Sequence, residues 1–292
     1  MIEAPPVWRT HLSFQDGHKF QFYSDGIALT EQYVAFTWFC IDRNTGVIRW
    51  QWEKDSPACQ LFAVHQGVII ANTIGPPLDP EDLYLTRLED GVALPQPRNF
   101  WERIVSLGGS GYAPIALGNG EILNSSGNVI SLVTGRKIRK VKPEEFTSFE
   151  DDSTYLAEVS LPDGVILDWN EESIWFEGEN AWRFRAKDLE VEIDSKVFHY
   201  PYAYLAIYRG GGDIASERWL WTLDLRNGQI VQRIALSEEP AISGTVHAVD
   251  DSGLVASVMR CLPNEKQGGI RWEGELLYFS RSSAQPDSTE DR

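Results

Sequence analysis

The side chains able to do chemistry in this chain are five histidines, three cysteines and a large excess of carboxylates. His11, His18, His65, His199 and His247 are scattered, with no H-x-H or H-E-x-x-H spacing to put two imidazoles on one face of one element. A metal site would have to be assembled from separate elements, and none is expected. Cys40, Cys59 and Cys261 show no C-x-x-C spacing and are odd in number, so neither a zinc site nor a disulfide framework is expected. They read as small buried apolar residues. No G-x-S-x-G elbow presents a serine nucleophile. The glycine clusters "GGSG" (108–111) and "RGGGD" (209–213) lack the P-loop and G-x-G-x-x-G forms and read as connections rather than phosphate cradles. With 43 acidic residues, some carboxylate pair lies close by chance. No catalytic residue and no cofactor is therefore assigned.

Charge is the informative feature. The formal net charge is −17, which repels nucleic acid and anionic membrane surfaces and favours basic partners. Residues 144–194 hold 16 acidic residues opposed only by Arg183, Arg185 and Lys187, a net of −13. Aromatic residues lie among them in "LDWNEESIWFEGENAW". Crowded carboxylates repel one another, and a cationic partner relieves that. The candidate partner-binding residues are Glu150, Asp151, Asp152, Asp168, Trp169, Glu171, Glu172, Trp175, Glu177, Glu179 and Trp182. The carboxylates would steer a basic protein and the tryptophans supply contact area. Just upstream, "RKIRKVK" (136–142) is strongly basic and suits either neutralisation of the neighbouring carboxylates or a protected sheet edge.

The elements that must position these groups are strands. Turn glycines after Asp, Asn or another polar residue recur in "DRNTG", "LEDG", "LVTG" and "LRNG", at Gly46, Gly91, Gly135 and Gly228. The gaps are 45, 44 and 93 residues, and a degenerate turn near residue 181 restores the period. Apolar runs flank each glycine, as in antiparallel hairpins. Further runs such as "QLFAVH" with "GVIIANT" and "KVFHY" with "AYLAIY" complete four strands per unit. A unit of that size predicts an all-β fold, a single β-propeller of four-stranded antiparallel blades, six in number with seven as the alternative. Its domain would span residues 1–281, with a polar disordered tail at 282–292. The N-terminal "VWRTHLSF" would pair with the C-terminal blade and close the ring. The run "FHYPYAYLAIY" (198–208), at period two, puts Phe198, Tyr200, Tyr202 and Tyr204 on one packing face. The N-terminus has no signal-peptide pattern and no stretch of about 18 apolar residues occurs, so a soluble, cytoplasmic monomer is expected.

The stretch "IDRNTGVIRW" (41–50) resembles the repeat of the quinoprotein-like propellers, with an aspartate before a Thr-Gly turn and a tryptophan on the next strand. In that family the tryptophan packs between neighbouring blades. "LDLRNGQIVQ" keeps Asp224 and Gly228 but has no tryptophan at the matching position. The resemblance implies either a quinone-dependent dehydrogenase with calcium or a noncatalytic binding or assembly protein. The adjacent cysteines often found in such enzymes are missing here. The expectation is thus a noncatalytic propeller that engages a basic protein, such as a bacterial toxin held by an immunity-type inhibitor. The alternatives are an enzyme on the same scaffold (quinone-dependent oxidoreductase, lyase or glycosidase) or an assembly scaffold.

Overall fold

In a computed structural model the chain is described over residues 2–14, 27–52, 59–65, 67–73, 83–94, 115–116, 121–123, 128–131, 136–140, 165–168, 173–177, 180–209, 216–237, 239–263 and 270–281, a few of them by backbone alone. Among these residues the structure is all-β, with a single 3-10 turn at Ala186–Leu189. The chain begins with β1 (Trp8–Phe14), which joins the last sheet rather than the first. Then come β2 (Ala28–Leu29), β3 (Tyr33–Ala35), β4 (Phe39–Asp42) and β5 (Ile48–Gln51) as one sheet. β6 (Cys59–His65), β7 (Val68–Thr73), β8 (Leu83–Arg87) and β9 (Ala93–Leu94) form a second. The third holds β10 (Ile115–Ala116), β11 (Glu121–Leu123), β12 (Asn128–Ser131) and β13 (Lys137–Lys140). β14 (Val165–Asp168), β15 (Ser173–Phe176) and β16 (Trp182–Arg185) form the fourth. The fifth is β17 (Glu192–His199), β18 (Tyr202–Tyr208), β19 (Arg218–Asp224) and β20 (Gln229–Ala235). β21 (Ser243–Val249), β22 (Gly253–Pro263) and β23 (Ile270–Ser280) complete the sixth, whose fourth strand is β1.

Each sheet is antiparallel between sequence neighbours, which is what tight Asx-glycine turns produce. The expected pairing of the chain ends holds: β1 lies antiparallel to β23 from Trp8 opposite Tyr278 to Phe14 opposite Trp272. A bridge between Ile2 and Arg281 extends it.

The chain divides into two compact units. One comprises Met1–Lys19, Asn44–Gly46 and Val159–Arg292; the other comprises Phe20–Arg43 and Val47–Glu158. In the first unit the fifth sheet is buried on both faces, and period-two alternation explains how. Tyr202, Tyr204 and Ala206 of β18 pack with Leu220 against Val246, Leu254, Val258, Leu277 and Phe279 of the sixth sheet. Ala203, Leu205 and Ile207 face the other way, with Trp221 and Leu223, against Ile174 and Phe184 of the fourth. A strand apolar at nearly every position is what two buried faces require. Each such fully buried large aliphatic side chain contributes about 1.5–3 kcal/mol. In the second unit a smaller cluster joins Ala35, Cys40 and Trp50 to Ile69 and Leu88.

The predicted single face for Phe198, Tyr200, Tyr202 and Tyr204 is corrected. Residues 198–208 are a hairpin, reversed at Tyr200 and Pro201, in which Phe198 of β17 sits opposite Ala203. Phe198 therefore packs toward the fourth sheet, Tyr202 and Tyr204 toward the sixth, and Tyr200 is exposed. A reversal restarts the period-two count, and proline has no N–H to carry a ladder through.

The turn glycines meet tryptophans. In the first unit Trp182 covers Gly228 and Trp8 covers Gly46; in the second Trp50 covers Gly91. A Cβ on Gly228 would lie 2.5 Å from the Trp182 ring, and the residue has φ +70°, so glycine is required there twice over. The indoles also bond the turns: Trp50 Nε1 donates to the Leu88 carbonyl at 2.7 Å and Trp182 Nε1 to the Leu225 carbonyl at 3.1 Å. Both acceptors stand three residues before their glycine. Asp224 opens the last of these turns, accepting from the Arg226 N–H at 2.9 Å and from its guanidinium at 2.9 and 2.6 Å. Burial alone would raise the Asp224 carboxyl, but the bonds and charge of Arg226 hold it below its ordinary value.

Candidate functional site

The acidic segment is carried in part by β14, β15, β16, the 3-10 turn and the start of β17. Of the eleven candidate residues, Glu150, Asp151, Asp152, Trp169, Glu171, Glu172 and Glu179 lie outside the described residues, and Asp168 is described by backbone only. Trp175 and Glu177 come together: the Trp175 indole N–H donates to Glu177 Oε1 at 3.1 Å, and Glu177 is exposed. The Arg183 guanidinium, directly across on β16, lies 5.0 Å from the Trp175 ring centroid. That geometry is a cation–π contact and leaves the tryptophan only half-buried. Trp182 is half-buried too, and its indole is committed to the Leu225 and Gly228 turn, where it serves packing.

Two acidic residues of the segment are used internally. Asp194 pairs with the Arg218 guanidinium at 3.4 Å and accepts from the Gly244 N–H at 2.8 Å. Ser195 Oγ likewise accepts from the Val246 N–H at 2.6 Å. These side chains cap the outer edge of β21, whose N–H groups would otherwise lack partners. Arg218 is almost wholly buried, donates to Ser216 Oγ at 2.9 Å and to the Ile242 carbonyl, and stacks 4.3 Å above Tyr208. The Tyr208 hydroxyl in turn donates to Glu192. Carboxylates, a phenol and a guanidinium thus converge here, but they bind one another and tie the fifth sheet to the sixth.

Sequence reading missed three further pairings, because each joins residues far apart in the chain or across a hairpin. Glu275, buried on β23, faces Arg9 at 3.2 Å, Arg260 at 3.5 Å and His11 at 3.6 Å. His199 lies 3.0 Å from the fully exposed Asp251. His247 Nε2 is 2.7 Å from Ser257 Oγ across the β21–β22 hairpin. A serine–histidine contact is half of a nucleophilic arrangement, yet Ser257 is only 2% exposed. Burial drives the His247 imidazole down to about 3, so it stays neutral. Cys40 is equally inert, its thiol pushed up to about 12 by burial. Among the described residues no group of three His, Cys, Asp or Glu side chains is placed to hold a metal ion. No described helix is long and apolar enough to cross a membrane. Both glycine clusters lie outside the described residues apart from Arg209.

No family model matches the chain, and no curated protein does. Among solved structures, a computationally designed protein, Ika8, is similar at 11% identity and TM-score 0.29, covering 80% of this chain and 67% of its own. A tail fibre of Staphylococcus aureus phage P68 is similar at 11% identity and TM-score 0.27, covering 88% of this chain and 50% of its own. This chain therefore spans half the length of the tail-fibre chain. With similarity this low, the fold rests on the strand pairing itself.

Proposed function

We propose that the protein is a noncatalytic, protein-binding β-propeller of the quinoprotein-like type, in which six sheets form a ring latched by β1 on β23. It engages a basic partner protein through the acidic face of residues 144–194, and an immunity-type inhibitor seated in the cationic cleft of a toxin is its most concrete form. The repeated tryptophan-on-glycine packing supports the propeller, since it is a device for stacking successive sheets. At the position four residues after Gly228, where Gly46 has Trp50, stands Gln232. Gln232 instead donates to the Ile2 carbonyl at 2.9 Å, where a latched chain end would replace a turn.

The observation that carries the binding reading is the net −13 of residues 144–194 beside a half-exposed Trp175. Charge of one sign steers association, and an aromatic ring with an exposed edge supplies area once a partner arrives. The described acidic residues best placed for this are Glu177, Asp188 and Glu190, all exposed, whereas Glu192 and Asp194 are engaged within the fold. The test is co-purification from the native organism. A stoichiometric basic partner is expected, released by salt and by replacing Glu171, Glu172, Glu177 and Glu179 with lysine. Retention indifferent to both changes removes the reading.

A further inference from the structure

The basic run at residues 136–142 is a feature the acidic-face reading does not use. It forms β13, which ends its sheet, paired to β12 on one side only among the described residues. Other end strands hide part of themselves: β5 and β16 bury Trp50 and Phe184, and β20 alternates between exposed and half-buried positions. In β13 all four residues are exposed, including Ile138 at 50%. A strand inside a packed sheet shows one face or neither to water; this one shows both. An open cleft of about 490 Å³ lined by Asn128, Ile130, Arg136 and Lys137 lies against it.

We propose that β13 is a docking edge for an extended acidic peptide, which adds to the sheet as a fifth strand. Edge strands carry a row of outward N–H and C=O groups that pair with an incoming strand. Lysines on such an edge discourage pairing with neutral strands, because each ammonium would lose water without gaining a counter-charge. An acidic strand supplies that counter-charge. The bulge at Ile138 puts Lys137 and Lys140 on one face, opposite Ile130 and Asn128, and Arg139 on the other, opposite Val129, so a segment with acidic residues toward Lys137 and Lys140 and apolar residues on its other side matches the edge. The cleft accommodates a side chain from the same segment. The net −17 of the whole molecule does not prevent this, since at physiological ionic strength exposed charges act over about 8 Å.

The experiment measures fluorescence polarisation of a short labelled peptide alternating Glu and Val, titrated with the full chain. Binding is expected, weakened about tenfold or more by N-methylating alternate peptide amides and by the Lys137→Glu, Lys140→Glu double variant. On peptide addition the amides of residues 137–140 should gain protection from hydrogen exchange, a readout that also reports whether the variant remains folded. Equal affinity for the N-methylated peptide, or equal affinity for oligothymidylate, overturns the proposal in favour of general polyanion attraction. A chain that self-associates reversibly, and loses this on reversal of Lys137 and Lys140, overturns it in favour of a second copy. Undetectable binding of the Glu–Val peptide overturns it outright.

Discussion

The third and fifth sheets share a topology and differ in how far their end and middle strands are buried among the described side chains. Both run strand to strand in sequence order, and both have a bulge at the base of their last hairpin, between Val129 and Ile130 in one and Thr222 and Leu223 in the other. In the fifth sheet β18 and β19 are buried almost throughout, clamped between the fourth and sixth sheets. In the third sheet β13 buries nothing. One hairpin pattern thus carries two kinds of strand, buried where the residues between turns are apolar on both faces and exposed where they are charged. The lesson is that the repeat specifies connection and turn, while composition between the turns specifies which strands are buried.

Substitutions can break this contrast. The largest loss should come from Arg218→Ala, which leaves Asp194 without its counter-charge and the Ile242 carbonyl without a donor; breaking a buried pair of this kind costs about 3–5 kcal/mol, measured as a shift in the urea midpoint. Gly228→Ala combines a left-handed backbone with a methyl group against Trp182, for a loss of about 3 kcal/mol. Part of that loss should vanish in a Trp182→Ala background, and Gly67→Ala, with the same kind of backbone but open space, should cost less.

Acid should then act through His247. Its folded-state pKa lies below the ordinary value, so the unfolded chain binds the proton first, and stability is lost as pH falls from about 6.5 toward 3. By pH 5 the His247→Gln variant should have lost less than the unaltered protein, by at most about 2 kcal/mol. Trp50→Phe removes the indole bond to Leu88 and should cost about 1 kcal/mol. In the third sheet, Ile138→Thr should stay within about 0.5 kcal/mol of the parent, and a larger loss would show that β13 is packed after all.

Much of the fold was legible in the sequence, because glycine after an aspartate or asparagine can be read from local chemistry alone. The turns at Gly46, Gly91 and Gly228 fall where the spacing put them, and the N-terminal strand joins the last sheet as expected. What failed was the aromatic run: Pro201 sits in a hairpin reversal, and a count by twos does not survive a reversal. The candidate site was less legible. Trp175 and Trp182 look alike as neighbours of carboxylates and are both half-buried, yet one is stacked under Arg183 while the other is pressed on a glycine turn 46 residues away. Glu192 and Asp194 count toward the same acidic excess as Glu177, but their partners Tyr208 and Arg218 reach them only after β17, β18 and β19 have paired.

The amino-acid sequence by itself determined where this chain turns, that it makes strands, and how unevenly its charge is spread, since turn chemistry, side-chain alternation and ionisation are properties of a few neighbouring residues. Only the tertiary structure decided which carboxylates, tryptophans and histidines are consumed by the fold and which face water. That choice depends on which surfaces come together, and the residues on opposing sheets are chosen by pairing over long range rather than by adjacency in the chain.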